Sequence, residues 1–530
     1  MSYSPQLVYF LDRMSGFSTN IFKLMPQGSP DAAPNSISRV TLPANALLNT
    51  RSFKLHFRAS TTGTGARLPA DLSTLVERIE VSAGGVQLSQ GTNFYNTLCN
   101  AKAAIMGSKC DSVTGHSEVV RNNKFDGSTA IVTTAGANET YAKGTPHVID
   151  KWEGFLGTCE PKILDAAILP DLVVSIYWAD NSVLASWSGT STETKFITAA
   201  SPASAAYTIK DIHASIETIG LADSVYDNMV SSMIAQKGYV EIPFKQYFSF
   251  SNTHTGSSRF TVATQSLDRI WTAWRADGYN TLGAPVAVPG YGFGMEEKSI
   301  AISQASVTIA TGSFAIAAHG YVVGQALTYR DGGGGGQAAS PLVDGSVVYV
   351  KTVTNAGAFI ISATPGGAAQ VLTNDGNDAQ YFQTNTSPSD YRGVFGTSGD
   401  KYLTKFQRFS EPGAAGDLKY QFQLNGAYYP QYPADTEDMY QITKNSLPGS
   451  VKYDLTKEQL TDSYFVQCIR LNMPDSEFSR TVSGLDTRSV SLNGYVNTTG
   501  TLSTDPNLMI FAECTSSLRV GAGRQLEVVI

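Results

Sequence analysis

The side chains of this 530-residue chain that could do chemistry are few, and their spacing does not favour it. His56, His116, His147, His213, His254 and His319 stand alone. None forms the HxH, HxxxH or HExxH spacing that places two imidazoles on one metal ion. Cys99, Cys110, Cys159, Cys468 and Cys514 are odd in number, scattered and without a CxxC pair. They indicate neither a zinc site nor a disulfide framework. Asp375-Gly376-Asn377-Asp378 offers oxygen ligands without the spacing of an EF-hand loop and reads as a polar turn. Glu296-Glu297 and the acidic run Asp435–Asp438 could perform acid–base work only inside a shaped cleft; solvated faces are the default. No GxSxG or GxxxxGK[ST] occurs, and the run Gly332–Gly336 lacks a following Lys-Ser/Thr, so it reads as a flexible turn. Trp271 and Trp274 are offset by an odd number in a strand, which predicts that one faces outward at a core or subunit contact. The sequence thus predicts no catalytic, cofactor-binding or metal residue, and not an enzyme.

Composition narrows the class. Charged residues are 16% of the chain, below the ~25% usual for globular domains, while 42% are hydrophobic and 10% aromatic. That excludes disorder, coiled coil and collagen. The 38 basic and 45 acidic side chains leave a net charge of −7, a poor basis for wrapping nucleic acid. No run of 18 apolar residues predicts a membrane-spanning helix, and Met1 to Pro26 lacks signal-peptide features.

The elements that would position these residues are mostly strands. Phe53, Leu55 and Phe57 alternate with Lys54, His56 and Arg58. Ile79 and Val81 lead through Ala83-Gly84-Gly85 to Val86 and Leu88, a hairpin pattern. Leu172–Trp178, Tyr207–Ile219, Tyr402–Phe409, Leu418–Leu424, Phe465–Leu471, Leu508–Cys514 and Leu518–Ile530 read as further strands, with Asn425-Gly426 and Asn493-Gly494 as turns. Strands at this density predict sandwiches or barrels. Helices are expected over Asn93–Met106 and Asp223–Gln236, the second as a linker. Leu7, Phe10, Leu11 and Met14 share one helical face in an N-terminal stretch, residues 1–35, that ends in a Pro/Gly/Ser-rich linker. It is either a short helix docked on its own domain or an arm reaching a neighbour or a lipid surface. Lys298 to about Ser389 is almost free of Lys, Arg and Glu and reads as a small inserted β-domain. A weak echo links Ser52–Ile79 with Ser258–Ile270 and hints at a duplicated sandwich.

Several segments resemble double jelly-roll major capsid proteins of tailless icosahedral viruses. These are Leu75–Val81 with Gly84-Gly85-Val86 leading to Tyr95, Leu169–Ile176, and Tyr207–Ile212 continuing to Ile219. A fourth, Leu508–Glu513 followed by Ser517–Val520 and Gly523-Arg524, looks like a closing strand pair. The resemblance implies an all-β fold of two tandem eight-stranded jelly rolls, with a few short helices and an inserted small β-domain in the second. The expected boundaries are an arm at 1–35, a first roll at 36–222, a linker helix at 223–237, a second roll at 238–297 and 390–530, and an insert at 298–389 placed as a tower on the outer face. The function implied is a major capsid protein, of a bacteriophage, that forms trimeric pseudo-hexagonal capsomers in an icosahedral virion shell assembled in the host cytoplasm. Its implied partners are itself, neighbouring capsomers, penton and minor capsid proteins, and an internal viral membrane, with no direct nucleic-acid contact. Two other classes fit the residues less well: a virion spike or secreted adhesin holding a glycan, and a β-sandwich glycoside hydrolase.

Overall fold

The computed structural model describes residues 17–106, 145–185, 205–221, 232, 234–283, 286–287, 300–384 and 402–530, less short breaks at 45, 63–65, 67, 70, 89–92, 277, 317–318, 320, 322, 333–337, 356, 414–417, 448–454, 456, 474–482, 489–491 and 504–505. The chain divides into two compact units, Met1–Val286 with Tyr402–Ile530, and Ala287–Lys401.

The larger unit begins with strands β1 (Phe17–Leu24), β2 (Ile37–Thr41), β3 (Leu47–Thr62), β4 (Val76–Ala83), β5 (Val86–Gln87), β6 (Thr145–Ile149), β7 (Ile163–Asp165), β8 (Leu172–Trp178) and β9 (Ala206–Leu221). Sheet one has the order β1-β9-β3-β6, with β7 also on β3; sheet two is β2-β8-β4-β5. If β6 and β7 count as one broken sixth strand, the chain order across the sheets is 1-8-3-6 and 2-7-4-5. That is the double Greek key of a jelly roll. Period-two patterning builds it: Phe53, Leu55, Phe57 and Ala59 are buried between the sheets, and Lys54, His56 and Arg58 point the other way.

The second series is β10 (Tyr239–Thr253), β11 (Ser257–Val262), β12 (Leu267–Arg275), β13 (Lys419–Leu424), β14 (Ala427–Ala434), β15 (Val466–Arg470), β16 (Leu492–Thr499), β17 (Asn507–Gly521) and β18 (Leu526–Val529). Sheet three runs β10-β17-β12-β15 with β18 on β17, and sheet four runs β11-β16-β13-β14. The order is again 1-8-3-6 and 2-7-4-5. The chain is therefore a tandem of two jelly rolls. In both, strands 4 and 5 form a tight hairpin with two left-handed residues: Gly84 (φ +54°) and Gly85 (φ +87°) in one, Asn425 (φ +49°) and Gly426 (φ +87°) in the other. These are the residue types a type I′ turn requires.

Helices α1 (Tyr95–Met106) and α2 (Phe155–Thr158) lie in the first series, and α3 (Thr436–Ser446) and α4 (Lys457–Ser463) in the second. Both α1 and α3 follow the strand 4–5 hairpin of their roll. The smaller unit enters the chain between β12 and β13. Its seven-stranded sheet closes on Phe314, Tyr321, Tyr329, Phe359 and Phe382.

Several expectations need correction. Residues 17–24, assigned to the arm, form the edge strand β1, paired in register from Phe17↔Leu221 to Leu24↔Ala214. The first roll thus starts well before residue 36. Asn493-Gly494 is not a turn: both lie in β16, and a Cβ on Gly494 would meet the Phe260 ring at 2.4 Å, so glycine makes room for that ring. Tyr402–Phe409 is a strand only at Tyr402–Leu403, before a one-turn helix at Lys405–Gln407 closed by a Thr404/Gln407 capping box. The two C-terminal strands are one long strand, Asn507–Gly521, and then β18. The echo of Ser52–Ile79 in Ser258–Ile270 matches strands 3 and 4 of one roll to strands 2 and 3 of the other, so it does not mark the duplication the strand orders reveal. Of the expected linker helix, residues 232 and 234–237 are described and helical; the rest lies outside the described residues.

Candidate assembly surfaces

Among the described residues no group of three or more His, Cys, Asp or Glu side chains is placed to hold a metal. Asp435 caps α3, accepting from the Asp438 backbone N–H at 2.8 Å. Asp378 accepts from the Gln304 backbone N–H at 2.9 Å, and Asn377 from that of Ala379 at 2.7 Å; both shape a turn. His254 is buried against Trp274, with Ser258 and Thr498 hydroxyls at 2.7 and 2.8 Å, and burial pushes its pKa down to about 4. Leu7, Phe10, Leu11, Met14, Glu296 and Glu297 lie outside the described residues.

What the fold does bring together is charge at the seam between the rolls. All nine residues of β12 are buried, so both Trp271 and Trp274 are inside and neither faces solvent. Trp274 packs between the sheets against Tyr420. Trp271 points to the outer face of sheet three, where Lys102 of α1 lies over its ring at 5.8 Å. Lys102 Nζ donates to Glu153 at 2.6 Å and to Tyr247 of β10 at 3.2 Å, and Tyr247 donates to Glu153 at 2.9 Å. Arg269 donates to Glu513 at 2.9 Å and to the Ser446 carbonyl of α3 at 2.9 Å; Trp271 Nε1 donates to the other Glu513 oxygen at 2.9 Å. Burial alone would raise the Glu513 pKa, but Arg269, Lys102 and Lys245 outweigh it and hold it below the ordinary value. Lys102 is raised for the converse reason: Glu153 and Glu513 overcome its desolvation. Tyr247 is driven well up by burial and by the same two carboxylates. The part-buried Lys102–Glu153 pair of the first roll thus meets Tyr247 and Trp271 of the second, beside the buried Arg269–Glu513 pair.

Arg275, at the end of β12, is 1% exposed and enclosed by Phe406, Tyr279 and Phe409, whose ring centroids lie 4.1, 4.7 and 4.9 Å from its Cζ. No hydrogen-bond acceptor meets its nitrogens among the described residues, and burial pushes its pKa down to about 9. Three cation–π contacts stabilise the charge in this position.

The outer face of sheet one is different. His56 and His213, neighbours in register on β3 and β9, stack at 4.8 Å with planes 4° apart. Sequence spacing could not show this pair, since 157 positions separate its members; only the strand 3–strand 8 register places them together. Beside them stand Lys54 and Lys23, and on β1 the side chain of Ile21 is 72% exposed.

No protein-family model matches the sequence, and no curated protein matches it. Solved structures do. PBCV-1 VP54, in a crystal structure fitted into a reconstruction of the virophage Sputnik, is similar at 12% identity and a TM-score of 0.48, over 98% of each chain. The Faustovirus major capsid protein is similar at 10% identity and 0.46, over 97% of this chain and 92% of that one. The major capsid protein P2 of bacteriophage PM2 is similar at 7% identity and 0.31, over 96% and 100%. The strand order read from the chain itself establishes the fold: a double jelly roll with a β-domain inserted in its second half.

Proposed function

We propose that this chain is a major capsid protein whose trimers, pseudo-hexagonal in outline, tile an icosahedral virion shell. The observation that carries this reading is the repeated strand order 1-8-3-6 and 2-7-4-5, two sandwiches joined where Lys102 and Glu153 of the first roll bond Tyr247 of the second. Three such pairs supply six similar blocks around one axis. Lateral contact is then the whole mechanism, through obligate interfaces of roughly 2,000 Å² or more. In this reading the expected boundaries shift only at the start, where β1 joins the first roll. The stretch before it, with Leu7, Phe10, Leu11 and Met14, is a contact arm docking on a neighbour or an inner lipid surface. The insert at 298–389 is the part available to penton and minor proteins or to a host receptor. Electron micrographs of purified protein test the reading directly: hexagonal trimers or closed shells support it, and isolated monomers overturn it. Deletion of residues 1–16, stopping short of β1, should leave trimers intact and impair shell closure.

A second reading, a glycan-binding spike or adhesin, is favoured by exposed Tyr428 and Tyr432 on β14, near an open cleft of about 430 Å³ lined by Tyr429, Arg470 and Asn472. A glycan array with the full chain would decide it.

A further inference from the structure

The two rolls share one strand order, yet their equivalent faces meet different fates. The outer face of sheet three is covered within the chain. Lys102 of α1, from the connection between strands 5 and 6 of the first roll, sits on Tyr247 and Trp271. The outer face of sheet one has no such cover among the described residues. Lys23 and Ser215 are register partners there, as are Ile21 and Glu217, and His56 and His213. Cross-strand partners share a face, so these side chains form one surface. The charged groups facing the imidazole pair are Lys23 from β1, Lys54 and Arg58 from β3, and Lys210, Asp211 and Glu217 from β9; β6 brings the uncharged Val148 beside His56. Asp211 is already taken up by Arg58 at 3.5 Å, and Glu217 accepts from Asn49 at 2.7 Å. No carboxylate pairs with Lys23 or Lys54 among the described residues. On a chain of net charge −7, this is a concentrated cationic face with an exposed apolar residue at its edge.

We infer that the outer face of sheet one is the docking surface for a second copy of this chain, which presents to Lys23, Lys54 and the His56–His213 pair the acidic first turn of its α3. The inference rests on the shell reading and names the contact that closes the ring. The repeat supplies the template. Inside one chain, the strand 5–6 connection of the first roll covers sheet three. Between chains, the strand 5–6 connection of the second roll covers sheet one. That connection carries Asp435, Glu437 and Asp438 in the first turn of α3, with Glu437 exposed; within the chain Glu437 pairs with Lys457 at 2.5 Å and Asp435 with Lys419 at 3.7 Å. Both of these pairs are solvent-exposed and so weakly held; three carboxylates against two lysines leave the turn net negative opposite a cationic face, and a lateral contact of this kind is heterologous, so repeated rotation closes it into a ring.

The His pair gives the contact a signature. In the free chain the His56 pKa is held below its ordinary value, first by burial and then by His213, Lys54 and Lys23. Carboxylates brought by a partner raise it, so association takes up protons and tightens as pH falls from 7.5 to 5.5, by up to about tenfold per pH unit for each proton bound.

The test is light scattering of the full chain across concentration and pH, on wild type and on Lys54→Glu/His213→Glu. The doubly reversed variant is expected to melt like wild type yet to associate about 100-fold more weakly. Adding Glu437→Lys to the same chain should restore association. A variant that melts normally and associates like wild type overturns the inference while leaving the shell reading intact. A wild type that is monomeric at every concentration overturns both. If the glutamates prevent folding, Lys23→Ala/Lys54→Ala replaces them, with the same outcomes expected in weaker form. Should wild type bind vesicles containing 30% anionic phospholipid, and the variant lose that binding with self-association unchanged, the face belongs to a lipid surface and the inference is wrong.

Discussion

Sheet one and sheet three are built to the same plan and are read differently by their surroundings. In sheet three, β12 is buried over all nine residues, and β17 carries Leu508, Met509, Ile510, Phe511 and Ala512 in unbroken sequence, all of them buried. In sheet one, Phe53, Leu55 and Phe57 alternate with Lys54, His56 and Arg58. A continuous apolar run marks a sheet covered on both sides; strict alternation marks one with an open face. Topology fixes where the strands go, and side-chain period decides which surfaces are left for other molecules.

The contrast breaks most sharply if the buried carboxylate of one sheet proves no more important than the half-exposed carboxylate of the other. Glu513→Ala leaves Arg269 buried without its ion and should cost about 3–5 kcal/mol in urea unfolding. Glu217→Ala on sheet one should stay within about 0.5 kcal/mol. Equal losses would dissolve the distinction.

Next in size is a proton effect. The His254 pKa in the folded chain is about 4, below the unfolded value of 6.5. Its neutral burial therefore contributes stability that is complete above pH 6.5 and lost as pH falls toward 4, up to about 3 kcal/mol. Comparing urea midpoints at pH 7.5 and 4.5 for wild type and His254→Asn isolates it; an identical pH slope in both would refute the assignment. Smaller effects come from backbone sites. Gly494→Ala pushes a methyl into the Phe260 ring and should cost about 1–3 kcal/mol. Gly426→Ala and Gly85→Ala force alanine to positive φ in equivalent hairpins, and each should cost about 1–2 kcal/mol. Unequal costs at the two turns would show that the rolls are less alike in energetics than in strand order.

Much of this architecture is legible in the sequence. The alternation at Phe53–Arg58, the Gly84-Gly85 and Asn425-Gly426 turns and the strand Leu172–Trp178 carry local signals that survive in the fold. Local signals mislead where a distant neighbour overrides a local rule. Asn493-Gly494 has the chemistry of a turn, yet Phe260, more than 200 residues away, needs the glycine inside a strand. Residues 18–24 lack a buried stripe of their own because β1 is an edge whose partner, β9, comes nearly 200 residues later. The seam ions and the His56–His213 stack depend on register between distant strands, and no spacing rule reports it.

The central claim is that two jelly rolls in one chain form one third of a closed ring. Light scattering of the full chain at nanomolar to micromolar concentration measures this directly. The account predicts a mass near three times 56.6 kDa that persists on dilution; a mass that stays at 56.6 kDa throughout would contradict it.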